Sequence, residues 1–125
     1  MIEQDYIMRL IKEMIRAVLK LLFNIDIEST TAEILQDKTA KAELDELLKL
    51  VELGNIDEAE NKLFSELDKG NNEKLKLGLI LYSHLNELED DFLLENDFSR
   101  DEIKDGLKSV IDMYGLGSIA DIYFE

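Results

Sequence analysis

Hydrophobic residues recur along this chain with the three-to-four-residue spacing of an α-helix, and no stretch alternates as a β-strand would. The first such run predicts a long helix over residues 2–23. Its charged side chains fall within one narrow arc, and apolar side chains cover about 220° of its circumference, against about 100° for an ordinary surface helix. A helix this apolar needs packing on two sides, from its own chain or from a second one.

Turn and cap signals divide the next part of the chain into shorter helices. Thr30 and Glu33 have capping-box spacing and predict the start of a short helix. A helix over residues 41–53 would end at Gly54, and Asn55 would cap the next one. The side chains predicted to face the core from these two helices are Leu44, Leu47, Leu48, Val51, Ile56, Ala59, Leu63 and Leu67.

The most apolar run, LKLGLILYSHLNEL, predicts a central helix from about residue 73 to about residue 94. Ser99 and Glu102 form another capping box, which predicts a helix that runs to Tyr114. A final short helix, capped by Ser118, would carry Ile119, Ile122 and Phe124. The pattern therefore predicts an all-α protein of five or six helices.

The stretch GNIDEAENKLF resembles a tetratricopeptide repeat (TPR). Gly54, Ala59 and Leu63 occupy the places that this repeat gives to a turn glycine, an alanine and a large apolar residue. The pair Leu77–Gly78 resembles the leucine–glycine pair in the first helix of a second copy. Neither copy has the terminal proline of the repeat. The resemblance implies TPR-like antiparallel helix pairs over residues 41–114.

The whole chain also resembles an uncharacterised family of small helical proteins from Gram-positive anaerobes. The resemblance lies in DYIMRLIKEMIR, GNIDEAENKLF and FSRDEIKDGL. It implies a TPR-like fold that includes the N-terminal helix, and it implies no activity.

Composition narrows the possible functions. A chain of 125 residues is expected to form a single domain, here residues 1–125. The lack of cysteine excludes disulfides and thiolate metal sites. The net charge of −15 opposes binding to nucleic acid and to anionic lipid. Charged residues interrupt every long apolar run, so we expect neither a signal peptide nor a membrane-spanning helix, and we expect a cytoplasmic protein.

No catalytic chemistry stands out in the sequence. His84 is the only histidine, and its neighbour Ser83 would not face it on a helix. No segment has the ligand order of a calcium loop or the glycine pattern of a phosphate loop. We therefore predict no enzyme activity and no catalytic, metal, cofactor or small-molecule site. An enzyme would instead require a deep polar pocket, for example near Tyr82 and His84.

The candidate interaction surface is a basic stripe on the N-terminal helix, formed by Arg9, Lys12, Arg16 and Lys20. Three interpretations stay open. The helix packs by its apolar arc onto the acidic body, part of that arc binds another protein or a second copy, or the stripe docks on a membrane. The favoured hypothesis is a non-catalytic adaptor that uses this helix or the groove between helix pairs. The alternative is a membrane-surface protein that docks through residues 1–23.

Overall fold

The computed structural model of the chain describes the backbone of residues 2–123 and the side chains of residues 5–123. Within that range the protein is all-helical, as predicted, but it has seven α-helices instead of five or six. They are α1 (Ile2–Phe23), α2 (Lys38–Glu52), α3 (Ile56–Glu66), α4 (Asn72–Asn86), α5 (Asp90–Glu95), α6 (Arg100–Met113) and α7 (Gly117–Tyr123). A 3₁₀ turn spans Ala32–Ile34. Phe124, expected on the last helix, lies outside the described residues.

Local side-chain caps begin three of the α-helices, α2, α4 and α6. The predicted bounds of α1 are confirmed, and Ser99 and Glu102 form the predicted capping box of α6. The helix α2 begins at Lys38, earlier than predicted, because the Asp37 carboxylate accepts a hydrogen bond from the Thr39 N–H. The last helix begins at Gly117, so Ser118 is not its cap.

The predicted central helix is correct in place but wrong in length. It ends at Asn86, not near residue 94, and the short helix α5 follows it after a break. Arg100 from α6 donates hydrogen bonds to the carbonyl oxygens of Asn86 and Leu88, both at 2.8 Å, and to Asp90 at 2.7 Å. These bonds satisfy carbonyl groups that the helix would otherwise leave unpaired at its end, so they stabilise the break.

The core is built around α4, which packs against α1, α2, α3 and α6. The helix α1 packs against α4, α6 and α7, so the chain itself supplies the two-sided packing that its wide apolar arc requires. The buried side chains of α1 are Ile11, Met14, Ile15, Val18 and Leu19. The side chains predicted to point inward from α6 are all buried: Ile103, Leu107, Val110 and Ile111.

Glycine allows α4 and α6 to approach closely. A Cβ atom at Gly78 would lie 3.1 Å from Val110, and one at Gly106 would lie 2.6 Å from the Cε1 and Cζ atoms of Tyr82. The fully buried Tyr82 thus passes over the backbone of α6, and its hydroxyl donates a hydrogen bond of 2.6 Å to the Glu60 carboxylate of α3. This contact joins three helices.

The turn between α2 and α3 forms as its sequence predicts. Gly54 has a φ of +86°, which glycine adopts without steric cost. Its N–H donates to the carbonyl of Val51, and the N–H of Asn55 donates to that of Leu50, which is the Schellman arrangement. The predicted cap at Asn55 is wrong in its chemistry, because Asn55 stands at the N-cap position of α3 but its side chain makes no capping hydrogen bond.

Candidate interaction surfaces

Three of the four cations in the basic stripe face acidic residues of the chain that follows α1. The Arg16 guanidinium lies 3.4 Å from the Asp26 carboxylate and 3.5 Å from that of Glu28. The Lys20 ammonium lies 3.7 Å from Asp26, and the Lys12 ammonium lies 3.8 Å from Glu28. The charge of the stripe is therefore largely compensated within the chain.

Arg9 does not join this group. Its guanidinium carbon lies 5.7 Å from the ring centroid of Tyr6, a cation–π contact one turn earlier on the same helix. The ion pairs of the other three cations are long, and their partners are mostly exposed to solvent. Each such pair contributes about 0–1 kcal/mol and weakens with added salt.

The segment that carries these acidic residues, residues 24–37, connects α1 to α2 and is here called the 24–37 connection. Its only regular element is the 3₁₀ turn. The cap of that turn is Thr31, whose hydroxyl accepts from the Glu33 N–H at 3.4 Å, so the predicted cap at Thr30 is wrong by one residue. The second half of the connection is anchored by two buried side chains, Ile34 and Leu35.

The 24–37 connection forms one wall of a surface cleft between α2 and α4, here called the α2–α4 cleft. Its volume is about 390 Å³, at the lower end of the range of about 300–1,000 Å³ for ligand pockets. The apolar side chains of Leu44, Leu48 and Ile80 line it from the two helices. The other lining residues are Ser29, Thr30, Thr31, Ala32, Ser83, His84 and Glu87.

The charge of the α2–α4 cleft is negative. Burial lowers the pKa of His84 below its ordinary value of 6.5, while the carboxylates of Glu52 and Glu87 act in the opposite direction. His84 is therefore mostly neutral at pH 7, and the charge in the lining of the cleft comes from the exposed carboxylate of Glu87.

The cleft lies close to the place that the sequence indicated for a possible enzyme pocket. His84 and Ser83 both line it, whereas Tyr82 is fully buried on the opposite side of α4 and bonds to Glu60. Among the described residues, no group of three or more histidine, aspartate or glutamate side chains is placed to hold a metal ion. The arrangement is suited to binding through apolar contacts and hydrogen bonds.

Other surface features are less suited to binding a defined ligand. A groove between α6 and α7 has a volume of about 330 Å³, and one beside the basic stripe has a volume of about 340 Å³. Charged side chains dominate the lining of both.

Large apolar side chains are exposed at Tyr6, Leu21, Leu22, Leu53, Leu94, Met113 and Ile122. None of the described helices combines the length and the apolar character that crossing a bilayer requires.

Comparison with known proteins places the chain in a group without an assigned activity. Residues 1–115 match the model of a family of unknown function, DUF6483. This match confirms the predicted membership in an uncharacterised family over nearly the whole chain. No curated protein and no solved structure matches the chain.

Proposed function

The chain belongs to this family of unknown function, DUF6483, and we propose that it is a non-catalytic adaptor of the cytoplasm whose α2–α4 cleft binds a segment of another protein. The observation that carries the proposal is the cleft itself. It is lined by apolar side chains of two helices beside a row of hydroxyl groups, and one of these side chains, Leu48, is half-buried and open to a partner. Such a surface offers an apolar partner side chain a place to be buried and offers hydrogen bonds to the partner's polar groups.

We further propose that the helices around the cleft are TPR-like. In this arrangement α2 with α3 and α4 with α6 are the two helix pairs, and α2 and α4 are their first helices. The short glycine turn between α2 and α3 and the close packing of α4 on α6 support this assignment. In helical repeats the stacked pairs create a concave binding surface, which would correspond here to the α2–α4 cleft.

A pull-down with tagged protein from the native cell lysate tests the adaptor proposal, with soluble and membrane fractions kept separate. The Leu48→Arg variant places a long cation on the cleft lining, where Leu48 is half-buried. The Leu53→Arg variant is the matched control, because Leu53 is 75 % exposed at the turn after α2 and lies outside the cleft lining.

We expect a specific soluble protein to be recovered with the wild type and with Leu53→Arg, and to be lost with Leu48→Arg. Thermal unfolding followed by circular dichroism verifies that both variants fold. Equal recovery with all three proteins would place the partner elsewhere and refute the role of the cleft. Recovery of only the tagged protein's own untagged copy would replace the adaptor with self-association.

A second proposal is docking on an anionic membrane surface through α1. Exposed apolar side chains next to a cation favour this proposal. Leu21 is 69 % exposed, Leu22 is also exposed, and both follow the exposed Lys20 in the chain. The pairing of the basic stripe with Asp26 and Glu28 reduces the charge available to lipid. Vesicle sedimentation decides between the two proposals. Binding to anionic vesicles that is lost when the four stripe residues become glutamine would favour the membrane.

A further inference from the structure

We propose that the α2–α4 cleft selects a basic partner segment, in which an apolar side chain is flanked by lysine or arginine. The inference rests on the proposed function and adds the chemistry of the partner. It follows from the lining of the cleft, from the charges around it and from the place where the chain's own cations lie.

The apolar walls of the cleft favour a partner with an apolar side chain. Leu44 and Ile80 are buried in the hydrophobic core and close the inner side of the cleft. Leu48 is only half-buried, so its side chain still offers contact area to a partner. An apolar partner side chain placed here gains about 25 cal/mol for each Å² that it removes from water. The adjacent hydroxyls of Ser29 and Ser83 can pair with the polar backbone on either side of that side chain.

The charge that favours a basic partner comes from Glu87, which is exposed in the lining of the cleft, and from Glu52, the last residue of α2. Both carboxylates act electrostatically on His84, which lines the cleft and carries little charge at pH 7. The cleft is part of a chain whose net charge is −15, so the long-range field also attracts cations. Lysine or arginine beside the apolar anchor would meet opposite charge, whereas an acidic segment would meet like charge.

Three of the chain's own cations are paired away from the cleft. Lys12, Arg16 and Lys20 pair with Asp26 and Glu28 in the first half of the 24–37 connection. The cleft is lined by the next part of the connection, which begins at Ser29. The same negative charge argues against phosphate groups as ligands, because a phosphate would meet like charge at the cleft.

Three synthetic peptides test the inference, all with the sequence glycine-X-leucine-X-leucine-X-glycine and blocked ends. X is lysine in the first peptide, glutamine in the second and glutamate in the third. Each is titrated into the ¹⁵N-labelled full chain at pH 7 and followed by NMR. We expect the lysine peptide to shift the amide signals of Leu48, Ser83 and His84. We also expect it to bind about tenfold more tightly than the glutamine peptide.

Two charge-matched double variants separate the cleft from the overall charge of the protein. Glu52→Gln with Glu87→Gln removes the two carboxylates near the cleft and should abolish the tenfold preference for lysine. Glu58→Gln with Asp91→Asn removes the same charge from exposed positions outside the cleft lining and should preserve the preference. The dispersion of the amide signals verifies that each variant is folded.

Each other outcome overturns the inference in a recognisable way. Equal loss of preference in both double variants would mean that attraction to the whole acidic surface, not the cleft, selects lysine. Equal binding of the lysine and glutamine peptides at the cleft would refute charge selection but leave the proposed function standing. No shift at the cleft with the lysine peptide at millimolar concentration would refute the partner chemistry. The Leu48→Arg pull-down would then decide separately whether the cleft binds a protein.

Discussion

The close approach of α6 to Tyr82 gives a sharp test of the packing around α4. Replacing Gly106 by alanine adds a Cβ atom 2.6 Å from two ring carbons of Tyr82 and against its hydroxyl oxygen. Carbon atoms pack favourably at about 3.5–4.0 Å, so the ring would have to move by roughly 1 Å. Tyr82 is fully buried and cannot make this movement without displacing its neighbours or breaking its hydrogen bond to Glu60.

The expected loss of stability follows from three effects. Overpacking a core costs about 1–3 kcal/mol. Loss of a hydrogen bond to a charged group costs about 1.5–3 kcal/mol. Alanine in a helix recovers about 0.5–1 kcal/mol relative to glycine. We expect Gly106→Ala to lower the free energy of unfolding by about 2–5 kcal/mol, and the melting temperature by about 8–20 °C for a chain of this length.

Urea unfolding monitored by circular dichroism measures this loss, and a double-mutant cycle identifies its cause. In a Tyr82→Leu background the ring is absent, so Gly106→Ala should become neutral or slightly stabilising. Gly70→Ala is the control, because its Cβ would lie no closer than 3.5 Å to any neighbouring atom. An equal loss from Gly106→Ala in both backgrounds would show that the contact with Tyr82 is not responsible.

Three further predictions concern the polar contacts. The pKa of Tyr82 is raised above its ordinary value of 10.0 by burial and then by Glu60, so the folded protein keeps this proton at a pH where the unfolded chain loses it. Above about pH 10 the wild type should therefore lose up to about 1.4 kcal/mol more stability per pH unit than Tyr82→Phe. The free energy of unfolding in urea, measured from about pH 9 to about pH 11, checks this, and parallel pH profiles of the two proteins would contradict it. Arg100→Lys should cost about 2–4 kcal/mol in urea unfolding, because an ammonium group cannot reach all three acceptors of the guanidinium; an unchanged midpoint would contradict it. The double variant Asp26→Asn with Glu28→Gln should change stability by less than about 1 kcal/mol. It should nevertheless speed the exchange of the backbone amide hydrogens of residues 24–31. Unchanged exchange there would show that the ion pairs do not hold the connection.

The features that sequence predicts correctly are those whose causes are local. The bounds of α1 follow from a long uninterrupted periodicity, and the start of α6 follows from Ser99 and Glu102 three residues apart. Gly54 ends α2 because the turn itself requires a positive φ. In each case the residues that determine the structure lie in the element itself or next to it in the chain, so they are visible in the sequence.

The features that sequence missed depend on residues far apart in the chain. The pattern after Asn86 still permits a helix, and the break is stabilised by Arg100, which lies fourteen residues later. The cleft is built from the 24–37 connection, α2 and α4, and none of these segments alone indicates a cavity. Leu48 has core spacing in the sequence and is half-buried at the cleft. A helical pattern cannot distinguish full burial from exposure at the wall of a groove.

The basic stripe and the cleft are parts of one structural unit, because the 24–37 connection contacts both. Its first half is held against the stripe by exposed ion pairs, each of which contributes little to stability, and against the core by the partly buried Ile25 and Ile27. Its second half is held by the burial of Ile34 and Leu35 and by the Gln36 N–H, which donates to the Glu73 carboxylate at 2.9 Å. The ion-paired residues Asp26 and Glu28 lie just before Ser29, where the lining of the cleft begins. The stripe and the partly buried Ile25 and Ile27 together position the segment that leads into the wall of the cleft. A partner bound in the cleft therefore need not contact the stripe to depend on it.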